Sequence, residues 1–195
     1  MSHENNLFTV PPYIREFTEL LPPRSLVLDM GSWEGNNGNF IAQHGHRVVS
    51  VENDYDSANN GNKILRDLGK KAIRNSFVCG DMLYPMFNYE SFDAVISTMS
   101  LQHVTPIENA ELALRKIMAL TKPGGLNLVR AYIGTKEMQQ IKAGRYSVFG
   151  SDRIETIYAS GNWTFISNPK YPGPLQLNPN GSISSVAQLI ARKPA

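Results

Sequence analysis

Two acidic side chains, Asp29 and Glu52, each close an apolar run, and a glycine-bearing segment, Gly31–Gly35 (GSWEG), follows the first of them. An acid at a strand tip, some twenty residues beyond a glycine loop, is the kind of group that accepts the hydroxyls of a ribose. A helix starting at Asn36 would turn its free N–H groups towards an anionic part of the same ligand, such as a carboxylate. Further along, His103 follows another apolar run and is the side chain best suited to proton transfer near neutral pH, the alternative being a histidine that merely packs its loop. Tyr13, Arg130, Arg145 and Tyr146 are candidates for holding an acceptor molecule, with ordinary surface charge competing as the explanation for the arginines. His44 and His46 flank Gly45 and suit a helix end, and Cys79 reads as a small buried strand residue.

These groups act together only if the elements beneath them are aligned. Leu26 to Asn53 reads strand, tight turn, helix, strand: Ser25–Met30 and Arg47–Glu52 are continuous apolar strands, and Asn36–His44 is the helix between them, stopped at Gly45. The pattern continues with a polar helix over Asp56–Leu68, a short strand at Ser76–Cys79 and a buried strand at Phe92–Ser97. Thr105-Pro106-Ile107-Glu108 predicts a helix start capped by Thr105, with Ile107, Ala110, Leu114, Ile117 and Met118 as its apolar stripe. Lys122–Gly125 (KPGG) is a turn before a fifth strand, Leu126–Tyr132. Helices over Lys136–Ala143 and Ser151–Ser160 follow, then strands at Trp163–Ser167 and Ser185–Ala191 with a tight turn at Asn180-Gly181. An amphipathic helix over Tyr13–Leu21, bounded by Pro11-Pro12 and Pro22-Pro23, precedes all of this. The expected fold is α/β: a Rossmann-like, doubly wound, mainly parallel seven-stranded sheet finished by an antiparallel C-terminal strand pair. It forms one domain over 1–195, with 1–24 as a helical segment, 25–132 as the ligand-binding core and 133–195 shaping the acceptor side.

Composition narrows the partners. At 195 residues, a single domain buries roughly 70% of its unfolded surface. A net charge of +2, with lysines and arginines scattered singly, argues against nucleic acid as a partner. One cysteine excludes an internal disulfide and a thiolate zinc cluster, and no metal site is expected. The opening MSHENNLF has neither a basic nor an apolar signal region, and no run is long enough to span a bilayer, so a cytoplasmic location is expected. Oligomeric state is not legible.

The loop decides between adenosine-bearing ligands. A dinucleotide fingerprint needs glycine where the chain carries Trp33, so that backbone can approach a pyrophosphate. S-adenosyl-L-methionine has no phosphate and makes no such demand. From here the likeness becomes specific: Leu28–Gly35 (LDMGSWEG) resembles motif I of class I S-adenosylmethionine-dependent methyltransferases, with tryptophan replacing one glycine. Glu52, Gly80-Asp81-Met82, FDAVIS at Phe92–Ser97 and KPGG at Lys122–Gly125 fall where that family has its later landmarks. STMSLQHV after the fourth strand, TKPGGLNLV at the fifth and NPNGSI…LIARK at the end make it most similar to the small tellurite-resistance methyltransferases.

The resemblance implies that Asp29, Gly31 and Gly35 shape the cofactor pocket and that Asn36 and Asn37 lie near its methionyl end. Glu52 would hold the ribose, Asp81 and Met82 would flank the adenine, and Ser97 and Thr98 would lie beneath the donor. Trp33 and Asn53 complete that set, with Trp33 either stacking on the ligand or capping the pocket. Direct in-line transfer to a small-molecule acceptor is the implied reaction, with His103 on the acceptor side. One departure touches the substrate: tellurite-group members carry histidine and arginine in the stretch matching Gly173–Leu177, here the uncharged Gly-Pro-Leu-Gln-Leu. Val10–Tyr13 (VPPY) resembles the NPPY motif of amino-group methyltransferases but lacks the asparagine and precedes the first strand, so it reads as punctuation. The competing reading is a non-catalytic protein that binds S-adenosylmethionine without turning it over. Methylation of nucleic acid or protein would need a basic face or a recognition insert, and an NAD-dependent enzyme is a distant alternative.

Overall fold

The computed structural model describes residues 8–67, 74–134, 145–167, 176–177 and 183–195. Six helices and strands alternate from the start: α1 (Pro12–Glu19), β1 (Leu26–Met30), α2 (Asn36–Gln43), β2 (Arg47–Glu52), α3 (Tyr55–Asp67) and β3 (Asn75–Cys79). They are followed by β4 (Phe92–Thr98), a 3₁₀ turn (Leu101–His103), α4 (Ile107–Leu120), β5 (Thr121–Ile133), α5 (Arg153–Ser160), β6 (Thr164–Phe165), β7 (Gln176–Leu177) and β8 (Ile183–Arg192). The strands form one sheet in the order β3-β2-β1-β4-β5-β8-β6, with β7 pairing beside β8 off that path. β1 to β5 run parallel, whereas β8 is antiparallel to both β5 and β6. This is the expected doubly wound α/β sheet.

The unbroken apolar runs follow from burial on both faces. Because successive strand residues point to opposite sides, Val27, Ala94, Ile96 and Leu128 join Phe17, Phe40, Ile41 and Leu65 from α1, α2 and α3 on one face. Leu28, Met30, Val95 and Val129 join Leu114, Ile117, Ile157 and Tyr158 from α4 and α5 on the other. Crossing from β1 to β4 reverses the winding of the sheet, and loops at the C-terminal ends of β1 and β4 splay apart there. That switch point is where α/β sheets bind ligands.

Several local expectations change. Thr105 does not cap α4; Pro106 occupies that position without a side-chain hydrogen bond, and the Thr105 carbonyl instead accepts Asn109 Nδ2 at 3.2 Å. Lys122–Gly125 is absorbed into β5 as a register shift between Phe92↔Thr121 and Ala94↔Leu126, with Lys122 Nζ donating to Asp93 Oδ1 at 2.7 Å. The anticipated Trp163–Ser167 strand contracts to Thr164–Phe165, because the Trp163 ring is drawn into the core edge-on to Tyr158, 5.0 Å between centroids. Cys79 is exposed rather than buried: it is the last residue of an edge strand, with its Sγ 3.8 Å from the Asn53 carbonyl. The helix expected over Lys136–Ala143, the turn at Asn180-Gly181 and most of the Gly173–Leu177 stretch lie outside the described residues. Among the described residues, no helix is long and apolar enough to cross a membrane.

Candidate active site

The glycine loop is built by its own amides. Gly31 N and Ser32 N both donate to Val51 O, at 2.8 and 3.0 Å, tying the end of β1 to the end of β2. Gly31 has φ +76°, and a Cβ there would collide with the Ser100 side chain. Gly35 has φ +79° and caps α2, with the Phe77 ring filling the space a Cβ would take. Between them Trp33 adopts φ +50°, a conformation normally left to glycine. Its amide donates to Glu52 Oε2 at 2.8 Å, while Glu52 Oε1 accepts the Asn53 and Asp54 amides at 2.9 and 3.1 Å. Three backbone donors thus fix the Glu52 carboxylate at the loop's edge.

A cleft of about 710 Å³ opens above this loop, within the size range of small-ligand and cofactor sites. Of the sequence-predicted residues, it is bordered by Gly31, Trp33, Asn36, Asn37, Glu52, Asn53, Asp81, Met82, Thr98, His103 and Tyr13. Asn37 Nδ2 donates to Thr98 Oγ1 at 2.9 Å, linking the first turn of α2 to the tip of β4 across the floor. Asp81 Oδ1 receives the Leu83 amide at 2.8 Å, which folds the loop after β3 so that Met82 faces the cleft. The Trp33 side chain lines the mouth yet remains 62% exposed, so it does not fill the cavity.

Other expected residues stand behind the wall or beside it. Asp29 is buried, 1% exposed, and its Oδ2 accepts the Gly38 amide at 3.1 Å. Burial raises its carboxyl to about 7, opposed by the Gly38 hydrogen bond and reinforced by the nearby Glu52 charge. Gly35 likewise supports the loop from outside the cleft. Ser97 is fully buried and its hydroxyl pairs with Ser100 Oγ at 2.7 Å, so it cannot touch a ligand directly. Arg130, Arg145 and Tyr146 do not border the cleft. Arg130 instead lies over the Tyr13 ring, 4.6 Å from its centroid, and Tyr146 packs edge-on against His103 at 5.4 Å. They buttress two cleft residues.

Sequence reasoning gave no site role to Thr9, Pro11, Met30, Ser32, Val51, Gly80, Met99, Ser100 and Val104, all of which border the cleft. Reading VPPY as punctuation concealed Pro11, which the entry to α1 brings against the site together with Thr9. The close packing of Ser100 on Gly31 was detectable only as a small residue after β4, a weak signal. Ser32 Oγ is buried without a hydrogen-bond partner, leaving an unspent polar group in the wall. A fixed carboxylate, a glycine cradle and this hydroxyl fit an adenosine-bearing ligand.

Comparison with known proteins agrees. Residues 27–125, half of the chain, match the family described as "methyltransferase domain". The chain belongs to that family. It is a class I S-adenosylmethionine-dependent methyltransferase domain, and the cofactor of the domain is S-adenosyl-L-methionine. TehB from Haemophilus influenzae superposes with a TM-score of 0.75 at 20% identity, covering 97% of this chain and 64% of that one. Geranyl diphosphate C-methyltransferase from Streptomyces coelicolor A3(2), solved with S-adenosyl-L-homocysteine, gives a TM-score of 0.73 at 16% identity over 93% of this chain and 78% of that one. At these identities both establish the shared methyltransferase fold alone. A tRNA (carboxymethyluridine(34)-5-O)-methyltransferase, ALKBH8 of Macaca fascicularis, is 28% identical over 132 residues. That similarity covers 68% of the methyltransferase chain but 18% of ALKBH8.

Proposed function

We propose that the protein transfers a methyl group from S-adenosyl-L-methionine to a small-molecule acceptor by direct in-line displacement. The observation carrying this reading is one cleft bordered both by Glu52, Asn53, Asp81 and Met82, at and after the ends of β2 and β3, and by Tyr13, His103 and Val104, from α1 and the segment after β4. The first set offers a carboxylate for ribose hydroxyls, an acid for an exocyclic amine and apolar surface for a base. The second set is aromatic and weakly basic, and it meets the first across the Asn37–Thr98 bridge.

When bound, the cofactor supplies a sulfonium-activated methyl group. The chain's own work is alignment and exclusion of water, which can lower a barrier by about 7–11 kcal/mol. Glu52 presents lone pairs not taken by its three amide donors. The first-turn amides of α2 at Asn36 and Asn37 face the cleft and favour a carboxylate. His103, exposed and held edge-on by Tyr146, can accept a proton from a thiol, hydroxyl or amine acceptor. An acceptor that arrives deprotonated would need no base.

Calorimetric titration with S-adenosyl-L-methionine, followed by incubation with methyl-labelled donor, tests this proposal. The acceptor panel comprises thiols, small amines, halides, selenite, tellurite and bulk tRNA. Binding together with label transfer to a small acceptor is the expected outcome. Binding without transfer to any acceptor would favour the non-catalytic reading, and transfer confined to tRNA would replace the small-molecule acceptor. No binding at all would overturn the proposal.

A further inference from the structure

We infer a second ligand site, at the opposite end of the sheet from the donor cleft, that takes a compact phosphate-bearing molecule with an apolar or planar body. A groove of about 470 Å³ lies against the N-terminal ends of β1, β2 and β3 and the last turn of α3. Its apolar floor includes Leu26, Val48, Leu65 and Phe77, and three exposed arginines, Arg47, Arg66 and Arg74, border it. Among the described residues, no aspartate or glutamate borders the groove. Among the described residues, none of the three arginine side chains has an ion-pair or hydrogen-bond partner.

This clustering is costly for the free protein. Val48 N donates to Arg74 O at 2.8 Å and Val48 pairs with Asn75. Arg47, which opens β2, and Arg74, immediately before β3, each one residue earlier, therefore stand side by side. Like charges so placed destabilise a sheet. Placement in the last turn of α3 accounts for Arg66 through the helix dipole. It does not account for Arg47, at the start of β2, or Arg74, just before β3. In a chain with a net charge of only +2, three unneutralised guanidiniums around one bounded groove create a local anion site. The guanidinium fork matches phosphate oxygens in geometry and charge. Ser76 and Asn62 also border the groove and add uncommitted polar groups, whereas the Asn75 side chain is spent internally on Asn39 and Ser50.

Shape selects the kind of anion. A polynucleotide is recognised by a stripe of cations along its backbone, whereas these three border a single groove with an apolar floor. A phosphomonoester or diphosphate on a small apolar or aromatic body satisfies both halves of the groove. The groove and the donor cleft share no lining residue, so the two ligands bind without competing for one site.

The test is titration of the intact protein with phenyl phosphate, inorganic phosphate and phenol, each with and without saturating S-adenosyl-L-methionine. Phenyl phosphate is expected to bind at one site, more tightly than inorganic phosphate, while phenol does not bind, and donor saturation leaves its affinity unchanged. Arg47→Gln combined with Arg74→Gln should weaken phenyl phosphate at least tenfold, leave donor affinity unaltered and keep thermal stability equal or higher. Ser76→Glu, which adds an acid without removing an arginine, should likewise abolish binding. No binding to the wild-type protein, unaltered binding in both variants, or displacement by the donor would overturn the site. A short single-stranded RNA that outcompetes phenyl phosphate with a steep salt dependence would overturn the compact-ligand assignment in favour of a polynucleotide.

Discussion

Protonation of Asp29 couples folding of the donor site to pH. The carboxyl is buried beneath the glycine loop and raised from an ordinary 3.8 to about 7, chiefly by burial. Because the folded state holds this proton more tightly than the unfolded chain, its contribution is fully present below about pH 4. It is lost as pH rises towards 7, and the curve flattens above that. At about 1.4 kcal/mol per pH unit, Asp29 should remove about 2–3 kcal/mol of stability between pH 5 and 8. Depressed carboxylates such as Glu111, held down by Arg153, act in the opposite sense and at lower pH. Comparison with Asp29→Asn isolates the Asp29 effect, because the asparagine carbonyl can still accept the Gly38 amide while the ionisation is gone. Urea unfolding at constant ionic strength should show the wild-type free energy falling relative to that of Asp29→Asn from pH 5 to 8, because His46, held below its ordinary value by burial, titrates in both proteins and cancels in the difference. Parallel curves would refute the reasoning and mean that the buried carboxyl is ionised, or solvated, throughout.

Glu52→Gln keeps the side-chain length but turns a donor towards the ribose side and towards backbone amides. With hydrogen bonds to charged groups worth about 1.5–3 kcal/mol each, donor affinity measured by calorimetry should fall at least a hundredfold. His103→Ala should leave donor affinity within about threefold and lower kcat with an acceptor that must lose a proton by about 10²–10⁴-fold; equal losses of donor binding in the two variants would reverse their roles. Gly31→Ala forces a Cβ into Ser100 at positive φ, so strain plus overpacking should cost about 2–5 kcal/mol by denaturant titration. Trp33 is exposed at the cleft mouth whereas Trp163 is buried, so donor titration should change tryptophan emission in wild type but not in Trp33→Phe.

What could be read from the sequence was what period and punctuation encode. Double-sided burial gives unbroken runs such as VVSV and FDAVIS, and these located β2 and β4 to within a residue. Glu52 was legible because an acid closing a buried strand has no packing reason to be there. Contacts made by long-range approach were not legible. Nothing local marks Thr9 and Pro11 as cleft walls, since α1 must first fold back over α2 and the sheet. Cys79 looked buried because its neighbours Phe77 and Val78 are apolar, but β3 is an edge strand and its last residue faces outward. Arg130 and Tyr146 are near the acceptor end only through Tyr13 and His103, a relation that exists between side chains and has no spacing in the chain.

The reason for preferring a phosphate-free ligand also changes. Sequence reasoning rested on the bulk of Trp33 occupying the place a pyrophosphate needs, yet the side chain points to the mouth and is mostly in solvent. The discrimination lies in the loop's amides. A dinucleotide site works by offering loop and helix N–H groups to phosphate oxygens. Here Gly31 and Ser32 donate to Val51, Trp33 to Glu52, Gly35 to Ser32 and Gly38 to Asp29. Of these, the three that border the cleft, Gly31, Ser32 and Trp33, are committed, and Trp33 ends on the ribose acceptor itself, which leaves the amides of Asn36 and Asn37 for the ligand's carboxylate. A phosphate arriving at this loop would meet Glu52 and lose the contest for its amides, whereas a ribose would find the same carboxylate already aimed. Trp33 therefore matters through its backbone: by accepting a glycine-like conformation it delivers the amide that orients Glu52.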